Sequence, residues 1–130
     1  MLTSDRTSPR SSMEQVKQAA KALGVTVQVE GYLPPDSNAE QLIVTAAKEC
    51  VTNCVKHAGG SLVRIHIVQR NGLYDITITN DGTIPTEPIR EGSGLTSLRR
   101  SIEAACGEMY TAYKPCFALL ITLPEKENDL

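Results

Sequence analysis

The chain lacks a long hydrophobic run. No stretch approaches the roughly 20 consecutive apolar residues that a bilayer-spanning helix needs, and residues 1–13 are polar, without the apolar block of a secretory signal. It also lacks an excess of either charge. Thirteen Lys and Arg stand against 15 Asp and Glu, for a formal net charge of −2. The charges are spread along the chain, without the basic patch that marks a nucleic-acid-binding surface. There is no CxxC pair: the four cysteines, Cys50, Cys54, Cys106 and Cys116, sit inside apolar patterns and read as small buried thiols. Cys50 and Cys54 form an i, i+4 pair, but a zinc site usually needs four ligands and neither His57 nor His66 completes one. No internal repeat is visible. The expectation is a soluble, cytoplasmic domain with no nucleic-acid partner and no direct membrane contact.

What is present fits one domain. A chain of 130 residues can bury a single core and is too short for two. Residues 1–12, rich in Ser, Thr and Arg, hold almost nothing to bury and read as a disordered leader or as non-native residues, leaving 13–130 as the domain. The pattern over Met13–Leu23 is helical and stops at Gly24, and Val25, Val27 and Val29 then alternate with polar residues as in a strand. After Pro34-Pro35 a long helix is expected from Ser37 or Asn38 to Ala58, ending at Gly59-Gly60. Strands Leu62–Gln69 and Leu73–Thr79 flank Asn71-Gly72, a dipeptide that tolerates positive φ at both positions and so suits a tight hairpin. A polar loop leads to an amphipathic helix from Leu95 to about Cys106, and a final hairpin pairs Glu108–Tyr113 with Cys116–Leu123. Three helices and about five strands imply an α/β (α+β) two-layer sandwich, its mixed, mostly antiparallel sheet covered by helices on one face.

Three segments carry chemistry. On the long helix, at about 100° per residue, Glu49, Asn53 and Lys56 fall within roughly 60° of one another, opposite an apolar arc of Ile43, Ala47, Cys50, Val51, Cys54 and Ala58. A carboxylate, a carboxamide oxygen and an ammonium in one row suit a magnesium-bound phosphate, whereas the plainer reading is a solvated helix face. Asn80-Asp81-Gly82 ends a strand with an acid and a glycine. The carboxylate there could accept an exocyclic amine such as that of adenine, although Asn-Asp-Gly is also a common turn. Glu91-Gly92-Ser93-Gly94-Leu95 runs into a helix, whose N-terminus favours anions; Gly-x-Gly is also often only a flexible joint. Arg99 and Arg100 add local positive charge or simply coat the helix.

Taken in order, Glu49-x-x-x-Asn53-x-x-Lys56-His57-Ala58, Asn80-Asp81-Gly82 and Gly92-x-Gly94-Leu95-x-x-Leu98-Arg99 resemble the N, G1 and G2 boxes of the GHKL ATPases. Within that superfamily the chain is most similar, over about Met13–Pro124, to the catalytic and ATP-binding domain of bacterial two-component sensor histidine kinases. The resemblance implies the Bergerat fold, with ATP and Mg2+ as cofactors. It implies that Glu49 orients or activates the reacting group or a metal-bound water, that Asn53 and Glu49 serve the metal, and that Lys56 approaches the phosphates. Asp81 would bind the adenine amino group with Gly82 letting the base lie close, and Gly92, Gly94 and Leu95 would meet the phosphates at the end of the ATP lid. His57 belongs to the N box and is not the phosphorylated histidine.

The chain departs from the pattern in three places. The G1 segment lacks the further glycine many members carry, the lid at about 83–91 is short, and Lys114-Pro115-Cys116-Phe117 stands where many relatives have Gly-Thr. A short lid implies weak nucleotide affinity in the isolated domain. The expected reaction is transfer of the ATP γ-phosphoryl to a histidine on an upstream dimerisation helix, with a response regulator as the later acceptor. The chain is then one domain of a longer kinase, monomeric by itself, whose parent receptor can be anchored in the plasma membrane. The alternatives are an anti-sigma-factor-type serine kinase and a nucleotide-binding module without kinase activity.

Overall fold

The computed structural model describes residues 12–34, 38–82, 93–112 and 117–125. Helix α1 (Met13–Ala22) starts at a capping box: the Gln15 N–H donates to Ser12 Oγ at 3.2 Å and the Ser12 N–H donates to Gln15 Oε1 at 3.0 Å. It buries Met13, Val16 and Ala20 along one stripe, and Gly24, at φ 82°, turns the chain into β1 (Thr26–Glu30). Helix α2 (Asn38–Asn53) follows, then β2 (Leu62–Arg70) and β3 (Leu73–Asn80). The β2–β3 turn places Asn71 at φ 53° and Gly72 at φ 79°, the doubly left-handed conformation expected of an Asn-Gly hairpin. Helix α3 (Ser93–Ala104), β4 (Glu108–Ala112) and β5 (Ala118–Pro124) complete the order.

The five strands form one sheet in the order β1-β2-β3-β5-β4. β1 and β2 are parallel, with Val27 opposite Val63, and every other pair is antiparallel. A parallel pair needs a crossover connection, which α2 supplies. Register aligns the buried residues across the sheet: Ile65 faces Ile78, Ile67 faces Ile76, and Ile76 and Ile78 face Ile121 and Leu119. The alternate positions, Arg64, His66 and Val68 on β2 and Tyr110 on β4, are exposed, so the helices cover a single face. Arg70 pairs with Asp75 at 2.8 Å on the open face, an exposed contact that contributes little. Among the described residues no helix is long and apolar enough to cross a membrane.

Several element boundaries differ from the sequence expectation by a residue or two, and two of the differences bear on the site. The α-helical winding of α2 ends at Asn53, and Cys54–Ala58 form a π-helical turn. Gly59, left-handed at φ 62° and ψ 25°, donates its N–H to the Cys54 carbonyl, and the Gly60 N–H reaches the same oxygen at 3.3 Å. The two glycines thus let the helix close on a wider ring than the α-helix allows. The 100° step fails beyond Asn53, so Glu49 and Asn53 keep their row while the angular position expected of Lys56 does not carry over. Helix α3 begins at Ser93, before Leu95, which puts Gly94 inside its first turn.

Two glycines should respond differently to alanine. Gly31 sits at φ 98° with the Ile67 carbonyl where a Cβ would lie, whereas Gly72, also left-handed, has open space around it. Gly72→Ala is expected to cost about 1–2 kcal/mol from backbone strain alone, and Gly31→Ala clearly more, because the β1–β2 pairing must shift. Urea unfolding of the two variants checks the order.

Candidate functional site

The site is assembled around the C-terminal end of α2. Its apolar arc is buried as the pattern requires: Ile43, Ala47, Cys50, Val51 and Cys54 all lie in the core. Burial pushes the Cys50 thiol up to about 12, with the Glu49 carboxylate and Cys54 adding to the effect. The Cys54 thiol is also raised, by burial first and by the Asp81 charge second, so both are protonated spacers and poor ligands.

On the opposite side, Glu49 and Asn53 lie one turn apart and are half-buried. The Glu49 carboxylate packs directly against Gly94, so closely that a Cβ on residue 94 would overlap Oε1. A carboxylate at the first turn of α3 opposes the positive end of that helix dipole, a favourable placement. Asn53 Nδ2 is buried and has no hydrogen-bond partner. Such a group costs about 1–3 kcal/mol, and the nitrogen itself makes no bond that would oppose a turn of the carboxamide. Lys56 is exposed, in the π turn.

Asp81 closes the site from the sheet. Its Oδ1 accepts the backbone N–H groups of Ser61 at 2.7 Å and Leu62 at 2.8 Å, and Oδ2 accepts the Ser61 hydroxyl at 3.3 Å. Its own N–H donates to the Leu62 carbonyl at 3.1 Å, and Asn80 Nδ2 donates to the Asp81 carbonyl at 2.7 Å. The two backbone N–H groups, Leu62 first and then Ser61, hold the Asp81 carboxyl below the usual carboxylate range. Gly60 lies against Asp81 with no room for a Cβ between them, and Gly82 follows at φ 104°. Beside this carboxylate is a shallow cavity of about 220 Å³ lined by Leu62, Arg64, Thr79, Asn80 and Asp81.

Of the residues singled out in the sequence, the structure brings Glu49, Asn53, Asp81 and Gly94 to one end of the molecule. Leu95 is buried in the core at the start of α3 and holds that helix down. Gly92 and the lid at 83–91 lie outside the described residues, as do Lys114, Pro115, Cys116 and the His57 side chain. Arg99 is not simply solvated: it is half-buried and donates from Nη1 to the Met109 carbonyl at 2.5 Å, tying α3 to β4. Gly60 and Ser61 were missed, since Gly59-Gly60 reads only as a helix stop. Their role depends on β2–β3 register, which sets Asn80 opposite Val63 and so brings Asp81 to the start of β2.

The donor set suits a cation shared with phosphate. Among the described residues no three His, Cys, Asp or Glu side chains gather to hold a metal by themselves. Magnesium usually takes one or two protein oxygens and completes its shell with water and phosphate, which is what Asn53 and Glu49 can offer. The unpartnered Asn53 amide is the feature that the fold alone does not explain.

No family model matches the chain. It is 27% identical over 124 residues to the sensor histidine kinase DesK of Bacillus subtilis, a match covering 92% of this chain and 34% of that kinase. The ATP-binding domain of PrrB from Mycobacterium tuberculosis superimposes with a TM-score of 0.66 at 17% identity, covering 88% of this chain and 92% of that domain. The blue-light activated histidine kinase EL346 of Erythrobacter litoralis gives a TM-score of 0.69 at 20% identity, over 91% of this chain and 42% of that kinase. The fold is therefore that of histidine-kinase ATP-binding domains, and the chain spans about a third of the length of DesK.

The Asp81 carboxyl is expected to titrate below an ordinary aspartate. Its folded pKa lies below the unfolded value of about 3.9, so its contribution to stability is complete above that value and is lost as pH falls through the folded one. Unfolding measured from pH 5 downward should show this loss in the native chain and not in Asp81→Asn. Cys106 is exposed while Cys50 and Cys54 are buried and protonated. Iodoacetamide at pH 8 should therefore label Cys106 and spare Cys50 and Cys54 until denaturant is added, as peptide mass mapping would report.

Proposed function

We propose that this chain is the ATP-binding catalytic domain of a sensor histidine kinase, transferring the γ-phosphoryl of ATP to a histidine on a dimerisation helix of the parent protein. The observation that carries the reading is the convergence of three separate segments on the end of α2: the Glu49–Asn53 row, the Asp81 carboxylate and the first turn of α3. The likeness to DesK over most of the chain supports it.

In this reading Asp81 accepts the adenine 6-amino group through the oxygen that its backbone partners leave open, and Gly82 lets the base lie close. A site built around an acceptor discriminates against guanine, which presents a carbonyl at the same position. The first turn of α3, with Gly92, Gly94 and Leu95, receives phosphate on its N–H groups. Asn53 and Glu49 would hold Mg2+, which when bound would supply positive charge to offset that of the phosphates. Lys56 adds positive charge at the rim. Glu49 orients the incoming imidazole and receives its proton as the bond from nitrogen to the γ-phosphorus forms and ADP departs. Little covalent chemistry is asked of the protein, so positioning accounts for most of its effect. A response-regulator aspartate is the acceptor that follows.

Calorimetric titration of ATP and GTP, with Mg2+ and with EDTA, tests the reading. Adenine-selective binding that weakens about tenfold or more on metal removal is expected. Asn53→Ala should remove the metal dependence and leave the fold intact, and Asp81→Asn should remove the preference for ATP over GTP. No binding at millimolar nucleotide would overturn the assignment, and unchanged affinity in Asn53→Ala would take that residue out of the metal site.

A further inference from the structure

The connection between α2 and β2 holds Asp81 more fully than a helix stop requires. Two N–H groups, from Ser61 and Leu62, converge on Oδ1 at 2.7 and 2.8 Å. They fix one oxygen. The torsion that orients a carboxylate is broad and roughly two-fold, so a single fixed oxygen does not set the plane of the group. The third donor does: the Ser61 hydroxyl reaches Oδ2 at 3.3 Å. Gly60 makes this approach possible, because any side chain there would collide with the Asp81 carbonyl and Oδ1. Its N–H is in turn held by the Cys54 carbonyl at 3.3 Å, one residue beyond Asn53.

We propose that Ser61 is a positioning residue for base recognition: its N–H and hydroxyl together fix both Asp81 oxygens and hold the open side of Oδ2 for the 6-amino group of adenine. This rests on the reading of Asp81 given above and goes beyond it, since it makes selectivity for the base depend on a residue outside the boxes that carry the family resemblance. A hydroxyl that only capped the start of β2 would affect stability and leave selectivity alone. Oδ2 has two lone-pair sites, so accepting the Ser61 proton leaves one for the amine.

The test compares ATP with purine riboside triphosphate, which lacks the 6-amino group, by calorimetry on the full chain with Mg2+. The wild type should prefer ATP. Ser61→Ala should shrink the ratio of the two affinities about three- to tenfold, the range expected for the loss of one ordinary hydrogen bond, with affinity for the deamino analogue unchanged. Ser61→Thr, which keeps the hydroxyl, should restore the ratio, and circular dichroism with the melting temperature checks that each variant is folded. If Asp81→Asn collapses the ratio and Ser61→Ala does not, Ser61 has no such role and the reading of Asp81 stands. If Ser61→Ala weakens both ligands equally with a lower melting temperature, the residue is purely structural and the proposal fails. If neither variant changes the ratio, or the wild type binds no nucleotide, the reading of the site fails and the proposal with it.

Discussion

The seating of α2 on the sheet is the constraint from which the other features follow. Ile43, Ala46 and Ala47 are fully buried, and Val44 and Cys50 nearly so. The small side chains of Ala46, Ala47 and Cys50 let the helix pack closely, and interiors packed at crystal-like density leave such a helix little freedom to rotate. Once that face is fixed, the opposite row of Glu49 and Asn53 has a fixed direction. The parallel pairing of β1 with β2 depends on the same helix, because it is the crossover that joins them. Position and chemistry are thus set by one element.

Around that helix the polar groups are organised in two ways. Asp81 is richly supplied with donors and has its carboxylate held ionised. Asn53 is the reverse, a buried amide nitrogen with nothing to bond. A satisfied acid and an unsatisfied amide near the same helix end suit a ligand with an amine at one end and phosphate oxygens with a metal at the other. The two are joined by the π turn and Gly59-Gly60. Departure from α-helical winding, often seen at functional sites, brings the end of α2 to Ser61, the residue before β2.

Much of this was legible in the sequence because it depends on local patterns. The alternation in β2 and β3, the Asn71-Gly72 turn and the apolar arc of α2 each follow from periodicity or from the φ preferences of single residues. The Glu49–Asn53 row was legible for the same reason. The rest depended on contacts between distant segments. Whether α2 stays α-helical to Ala58 is decided by how Gly59 and Gly60 meet the Cys54 carbonyl. The role of Ser61 depends on a strand register that joins residues about 20 positions apart. Arg99, one of two adjacent basic residues that read equally well as a solvated helix coat, gave no sign that its guanidinium would reach the Met109 carbonyl.

The two ends of the segment 83–92 are each tied to α2 or to the strand that follows it. Asp81 is held by Ser61 and Leu62 just before it, and Gly94 is held against Glu49 just after it. The distance between those two anchors is set by the contacts of Ser61, Leu62 and Glu49 and not by the residues numbered between them. The frame on either side can therefore be inherited unchanged while the sequence of 83–92 diverges.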